Sequence, residues 1–66
     1  MKSRVHEVRL KLEIPQNRLA ELCGVSRQTI HAIEVSKYQP TVTLALKLAK
    51  NLNTAVEKLF ILEKED

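Results

Sequence analysis

The 66-residue sequence has one cysteine, one glycine, two prolines and no tryptophan, with one tyrosine and one phenylalanine as its only aromatics. A single cysteine, Cys23, excludes an internal disulfide, and with only His6 and His31 elsewhere it forms no cluster of metal-ligand spacing. The lone Gly24 excludes a glycine-rich loop that cradles phosphate. No run approaches the ~20 apolar residues that span a bilayer, and the first residues carry no apolar signal region. The expected setting is the cytoplasm. The length limits the chain to one domain over residues 1–66, with one small core. That is too short for most enzyme scaffolds, and Glu34, His6 and His31 form no paired general bases. No enzyme, cofactor, metal or small-molecule ligand is expected.

What is present is helical and basic on one side. Hydrophobic residues make up 44% and charged residues 29%, with an apolar spacing too regular for a disordered chain. The net charge is +3, and residues 1–37 carry seven Lys and Arg against four Glu. Residues 38–66 balance four against four, so the basic excess belongs to the first half and points to one positive face.

With so few punctuating residues, each marks a boundary. Val5, Val8 and Leu12 recur at helical spacing and predict a first helix over 4–12. Pro15 disfavours helix at Ile14 and suits the start of a second helix, whose stripe is Leu19, Ala20 and Cys23. Gly24 is expected to end it in the left-handed conformation. Ser26 is a good N-cap for a third helix carrying Ile30 and Ile33 to about Val35. After a polar connection through Pro40, Leu44, Leu48, Ala49 and Leu52 predict a fourth helix over 42–52, ended by Asn53. Thr54 and Glu57 fit a capping box for a short fifth helix burying Val56, Leu59 and Phe60. Only Phe60–Leu62 with the first three residues offers a strand pair.

Residues 16–34, QNRLAELCGVSRQTIHAIE, carry the chemistry. Two short helices meeting at one glycine, with small Ala20 in the first, allow a close and nearly perpendicular crossing. Val25, Ile30 and Ile33 anchor the second of the pair, and its other face presents Arg27, Gln28, His31 and Ala32. Arginine can bond both major-groove acceptors of guanine, and glutamine the donor and acceptor of adenine. Both lie in the first turn, the part of such a helix that reaches base edges. Gln16 starts the preceding helix, where the dipole favours a phosphate.

These features, with Arg9, Gln16, Leu19, Ala20, Gly24, Val25, Ser26, Ile30, Ile33, Glu34, Lys37, Pro40, Leu44, Ala49 and Leu52, resemble the Cro/C1-type (XRE) helix-turn-helix family over nearly the whole chain. The runs SRQTIHAIE, KYQP, LALKLAKNL and VEKLF are similar to short stand-alone dimeric repressors. The resemblance implies an all-α, compact five-helix, lambda-repressor-like domain, with a small β-ribbon from the two terminal segments as a variant of the type. It implies sequence-specific binding of double-stranded DNA as a transcriptional regulator, a repressor in the leading reading. Arg27, Gln28, His31 and Ala32 match base-reading positions, and Gln16, Ser26, Thr29, Lys37, Tyr38 and Gln39 match positions that hold the phosphate backbone. Arg9 and Glu34 match a structural ion pair. Cys23 reads as a small core residue.

The sequence departs from the family at three turns. Glu13 stands where glycine is frequent, Val35-Ser36 where asparagine-glycine is frequent, and Pro15 where a threonine cap is frequent, so changed turn geometry is expected at 13 and 36. Leu46, Val56, Phe60, Ile61 and Leu62 form the apolar surplus for a homodimer interface. Two other readings stay open: an antitoxin that binds both DNA and a toxin, and a protein-interaction module that reads no DNA.

Overall fold

A computed structural model describes all 66 residues. Five helices and two very short strands follow in the order β1 (Lys2–Ser3), α1 (Val5–Lys11), α2 (Gln16–Cys23), α3 (Arg27–Glu34), α4 (Val42–Asn51), α5 (Val56–Leu59) and β2 (Phe60–Ile61). The ribbon is antiparallel, pairing Lys2 with Ile61 and Ser3 with Phe60, and the Arg4 N–H extends it by donating to the Leu59 carbonyl at 2.7 Å. The strand pair glimpsed at the two ends of the sequence therefore forms, and it ties the chain's beginning to the segment after α5.

Ten residues make the core: Val5, Leu19, Ala20, Cys23, Ile30, Ile33, Leu44, Leu48, Leu52 and Leu59. Every helix contributes, so none holds its place by intrinsic propensity alone. Cys23 is buried, and burial pushes its thiol up, which suits a packing role. The first helix differs from its predicted stripe. Leu12 is 46% exposed, because the helix ends at Lys11 and Leu12 is its cap; Arg9 takes the buried position instead.

Four helices end in the same way although the chain has one glycine. After α1, Glu13 N–H donates to Leu10 and Ile14 N–H to Arg9; after α2, Gly24 donates to Glu21 and Val25 to Ala20. Ser36 and Lys37 repeat the pair after α3, and Asn53 and Thr54 after α4. This double closure needs a left-handed residue, and Glu13, Gly24, Ser36 and Asn53 all supply it, at φ 58°, 72°, 61° and 49°. The changed turns expected at 13 and 36 are therefore not found: two backbone hydrogen bonds hold each non-glycine residue in that conformation. A left-handed non-glycine residue costs about 1–2 kcal/mol, of which glycine's extra unfolded-state freedom would offset part. Glu13→Gly and Ser36→Gly are each expected to stabilise the protein by about 0.5–1 kcal/mol. A thermal midpoint raised by a few degrees checks this, and a midpoint lowered in both variants refutes it.

The capping box expected at Thr54 and Glu57 does not form. Thr54 belongs to the closure of α4, its hydroxyl donates to the Leu52 carbonyl at 2.9 Å, and Ala55 becomes the cap of α5 without a side-chain acceptor. True side-chain caps occur at Ser26, which accepts from Thr29 N–H at 3.1 Å, and at Thr41, which accepts from Leu44 N–H at 3.2 Å.

Candidate nucleic-acid interface

Helices α2 and α3 are set at their crossing by the Gly24 turn. Val25 and the buried Ile30 and Ile33 hold α3 against the core, so the opposite face is turned outward. Arg27, Gln28 and His31 are exposed there and line one shallow depression. Ala32, the fourth residue expected on this face, is half-buried and does not line it. Ser26 and Thr29 share a hydroxyl–hydroxyl hydrogen bond of 2.9 Å beside the Ser26 cap, which leaves one of their two hydroxyl hydrogens free for an outside acceptor. Lys37, Tyr38 and Gln39 are exposed on the connection from α3 to α4, and Tyr38 and Gln39 border a crevice with Ser3, Ile33 and Phe60. They lie apart from the depression on α3.

Beneath this surface a polar cluster joins α1, α2 and α3. Arg9 Nε donates to Glu34 Oε2 at 2.7 Å, and Nη2 donates to Oε1 at 3.2 Å. The fork is two-pronged, the strongest geometry for this pair. Arg9 Nη1 also donates to the Ile14 carbonyl at 2.9 Å, which fixes the loop leading into α2. The two side chains are 8% and 3% exposed, so the pair is shielded from water. Gln16 Nε2 donates to Glu34 Oε1 at 2.9 Å and lies 3.5 Å from His31 Nδ1. Pro15, in the cap position of α2, provides no side-chain acceptor, and the amide of Gln16 is oriented by Glu34 instead.

His6 is the member of the cluster that sequence reasoning passed over. Its Nδ1 lies 3.1 Å from both Glu34 Oε1 and Arg9 Nη2. One nitrogen cannot donate to the carboxylate and accept from the guanidinium at once, so the two contacts are alternatives set by tautomer. The spacing of His6 and Arg9, three apart on one helix face, was the available signal.

Burial pushes the Glu34 carboxyl up, but hydrogen bonds from Arg9, Gln16 and His6 and the charge of Arg9 outweigh it and leave Glu34 below the usual glutamate range. A carboxylate with a lowered folded-state pKa gives stability that is fully present above its unfolded value, about 4.3, and lost as pH falls through the folded value. The thermal midpoint is therefore expected to drop as pH falls below about 4.3, with a smaller drop in Glu34→Gln. Equal drops in both proteins would place the acid sensitivity elsewhere.

No three His, Cys, Asp or Glu residues converge as metal ligands, and no helix is long and apolar enough to cross a membrane. The geometry is a surface of donors around a convex helix.

A helix-turn-helix family model matches residues 5–59. The HTH-type transcriptional regulator YgzD of Bacillus subtilis is 42% identical over 66 residues, covering all of both chains. The HTH-type transcriptional regulator MJ0272 of Methanocaldococcus jannaschii is also 42% identical over 66 residues, again covering both chains completely. Among solved structures, the P22 c2 repressor in complex with a synthetic operator superposes with a TM-score of 0.84 at 33% identity, over 88% of each chain. The restriction-modification controller protein C.AhdI of Aeromonas hydrophila superposes with a TM-score of 0.79 at 30% identity, over 86% of each. The chain belongs to the Cro/C1-type (XRE) helix-turn-helix family of DNA-binding transcriptional regulators.

Proposed function

We propose that this protein is a cytoplasmic repressor that binds a two-fold DNA operator as a homodimer, with α3 in the major groove of each half-site. The observation that carries this reading is the grouping of Arg27, Gln28 and His31 on the outward face of α3, with Gln16 from α2 beside His31. Arg27, Gln28, His31 and Ala32 read base edges. Gln16, Ser26, Thr29, Lys37, Tyr38 and Gln39 hold phosphates and set the register, because backbone contacts position a protein while base contacts specify sequence.

One module covers about one half-site, and half-sites on one face of DNA repeat every ~34–36 Å. Each recognition helix must then lie ~17 Å from the two-fold axis, a distance that fits within a protomer measuring 32 × 20 × 19 Å. The expected interface uses Leu46, Val56, Phe60, Ile61 and Leu62. Leu62 is 76% exposed and Leu46 is exposed, whereas Val56, Phe60 and Ile61 are half-buried. Val42, 77% exposed and one turn before Leu46 on α4, extends the same apolar face.

The test is selection from a random duplex library at ~150–200 mM salt, which suppresses purely electrostatic binding. An inverted repeat with half-sites about one helical turn apart is expected. Recovery of no motif would sink specific readout; a single unrepeated half-site, with a 7.6 kDa species alone in sedimentation, would sink the dimer.

A further inference from the structure

The buried end of α3 is tied to the start of α2 through one amide. Glu34 is locked by Arg9 across both carboxylate oxygens, and its Oε1 also accepts from Gln16 Nε2 at 2.9 Å. An ionised carboxylate only accepts, so Gln16 must turn its NH2 toward it; the flipped amide would set oxygen against oxygen. One amide hydrogen is thereby committed. The same nitrogen lies 3.5 Å from His31 Nδ1, the outer limit of a hydrogen bond, so its second hydrogen is only loosely held. A DNA phosphate also only accepts, and this loosely held hydrogen is the one donor the Gln16 side chain has left for it.

We propose that Glu34 is a positioning residue for DNA binding: it fixes Gln16 as a donor and so presents the second amide hydrogen to a backbone phosphate beside His31. The inference rests on the reading above that Gln16 holds a phosphate. Glu34 itself stays out of contact, since its side chain is 3% exposed. Arg9 makes the arrangement compatible with DNA, because its charge neutralises a carboxylate that would otherwise repel the phosphate. An amide already oriented before binding loses little freedom on docking.

A double-mutant cycle on the wild-type-selected duplex tests this, using wild type, Gln16→Ala, Glu34→Gln and the combination at low temperature. Gln16→Ala is expected to weaken binding by the two-fold dimer about 100-fold, because each protomer loses one hydrogen bond to a charged group, about tenfold apiece. Glu34→Gln nearly preserves size but removes the charge and one of the two acceptor oxygens, so the Gln16 NH2 is held less firmly and a loss in the same direction, no larger than that of Gln16→Ala, is expected. The combination should lose no more than Gln16→Ala alone. Losses that multiply, or unchanged affinity in Glu34→Gln, would overturn the proposal.

Because Glu34→Gln also loosens Arg9, a second measurement uses the unaltered free protein. The side-chain NH2 resonances of Gln16 are expected to shift in step with the Glu34 carboxyl carbon as acid is added. Gln16 resonances that stay fixed through that titration also overturn it. Failure of the underlying reading looks different: a wild type with no preferred duplex removes the DNA contact and this proposal with it, while the linked titration of Gln16 and Glu34 persists.

Discussion

Arg9→Met is expected to destabilise the fold by about 3–5 kcal/mol, the typical consequence of stranding one member of a buried ion pair. The size follows from what the guanidinium holds. It bonds both oxygens of Glu34 and the carbonyl of Ile14, so its removal leaves a buried carboxylate without its cation and a loop carbonyl without its donor. Gln16 and His6 still reach Glu34, but only at Oε1. A core in a domain this small supports about 3–5 kcal/mol in total, so Arg9→Met should be largely unfolded at physiological temperature. Urea unfolding followed by circular dichroism checks this, and a variant within about 1 kcal/mol of wild type would show the pair to be weakly coupled to folding. The companion Arg9→Met, Glu34→Leu protein should recover a large part of the loss, since apolar replacement of both partners removes the desolvated charges together.

That pair shows how far the sequence could be read. Arg9 and Glu34 were legible as partners only through family resemblance, because 25 residues separate them and no local periodicity links them. The apolar stripes of α2, α3 and α4 were legible because Leu19, Ile30 and Leu48 repeat with near neighbours at helical spacing and all prove fully buried. Leu12 misled for the same reason: it continues the stripe of α1 in sequence, but the helix stops before it. The turns were hidden differently. Glycine marks a left-handed residue by absence of strain, yet Glu13 and Ser36 adopt that conformation because paired backbone hydrogen bonds enforce it, and nothing in their side chains announces it. On the outward face of α3, Arg27 and Gln28 were legible as donors near a helix start. The tie from Gln16 to Glu34 was not, since it depends on how two helices cross.

The Arg27→Ala, Gln28→Ala double variant is expected to lose specific DNA binding altogether. A well-placed bidentate contact is worth about 1–3 kcal/mol of base discrimination, and a two-fold dimer would use each residue twice, giving a gross loss of about 4–12 kcal/mol. The measurable loss has a floor, because specific complexes are typically only about 4–10 kcal/mol tighter than the same protein on random DNA. Affinity for the selected duplex should therefore fall at least ~10³-fold and meet the affinity for a scrambled duplex. The fold should survive, because both side chains are exposed and alanine is the best helix former. Lys37→Ala offers the contrast: loss of one phosphate contact per protomer weakens both duplexes alike and lowers the salt dependence by about two ions. Anisotropy titrations of both duplexes at several salt concentrations separate the two behaviours. A double variant that keeps the wild-type ratio between the duplexes would move sequence reading away from the first turn of α3, whereas a ratio that collapses while Lys37→Ala preserves it would assign specificity to Arg27 and Gln28 and affinity to the loop beyond.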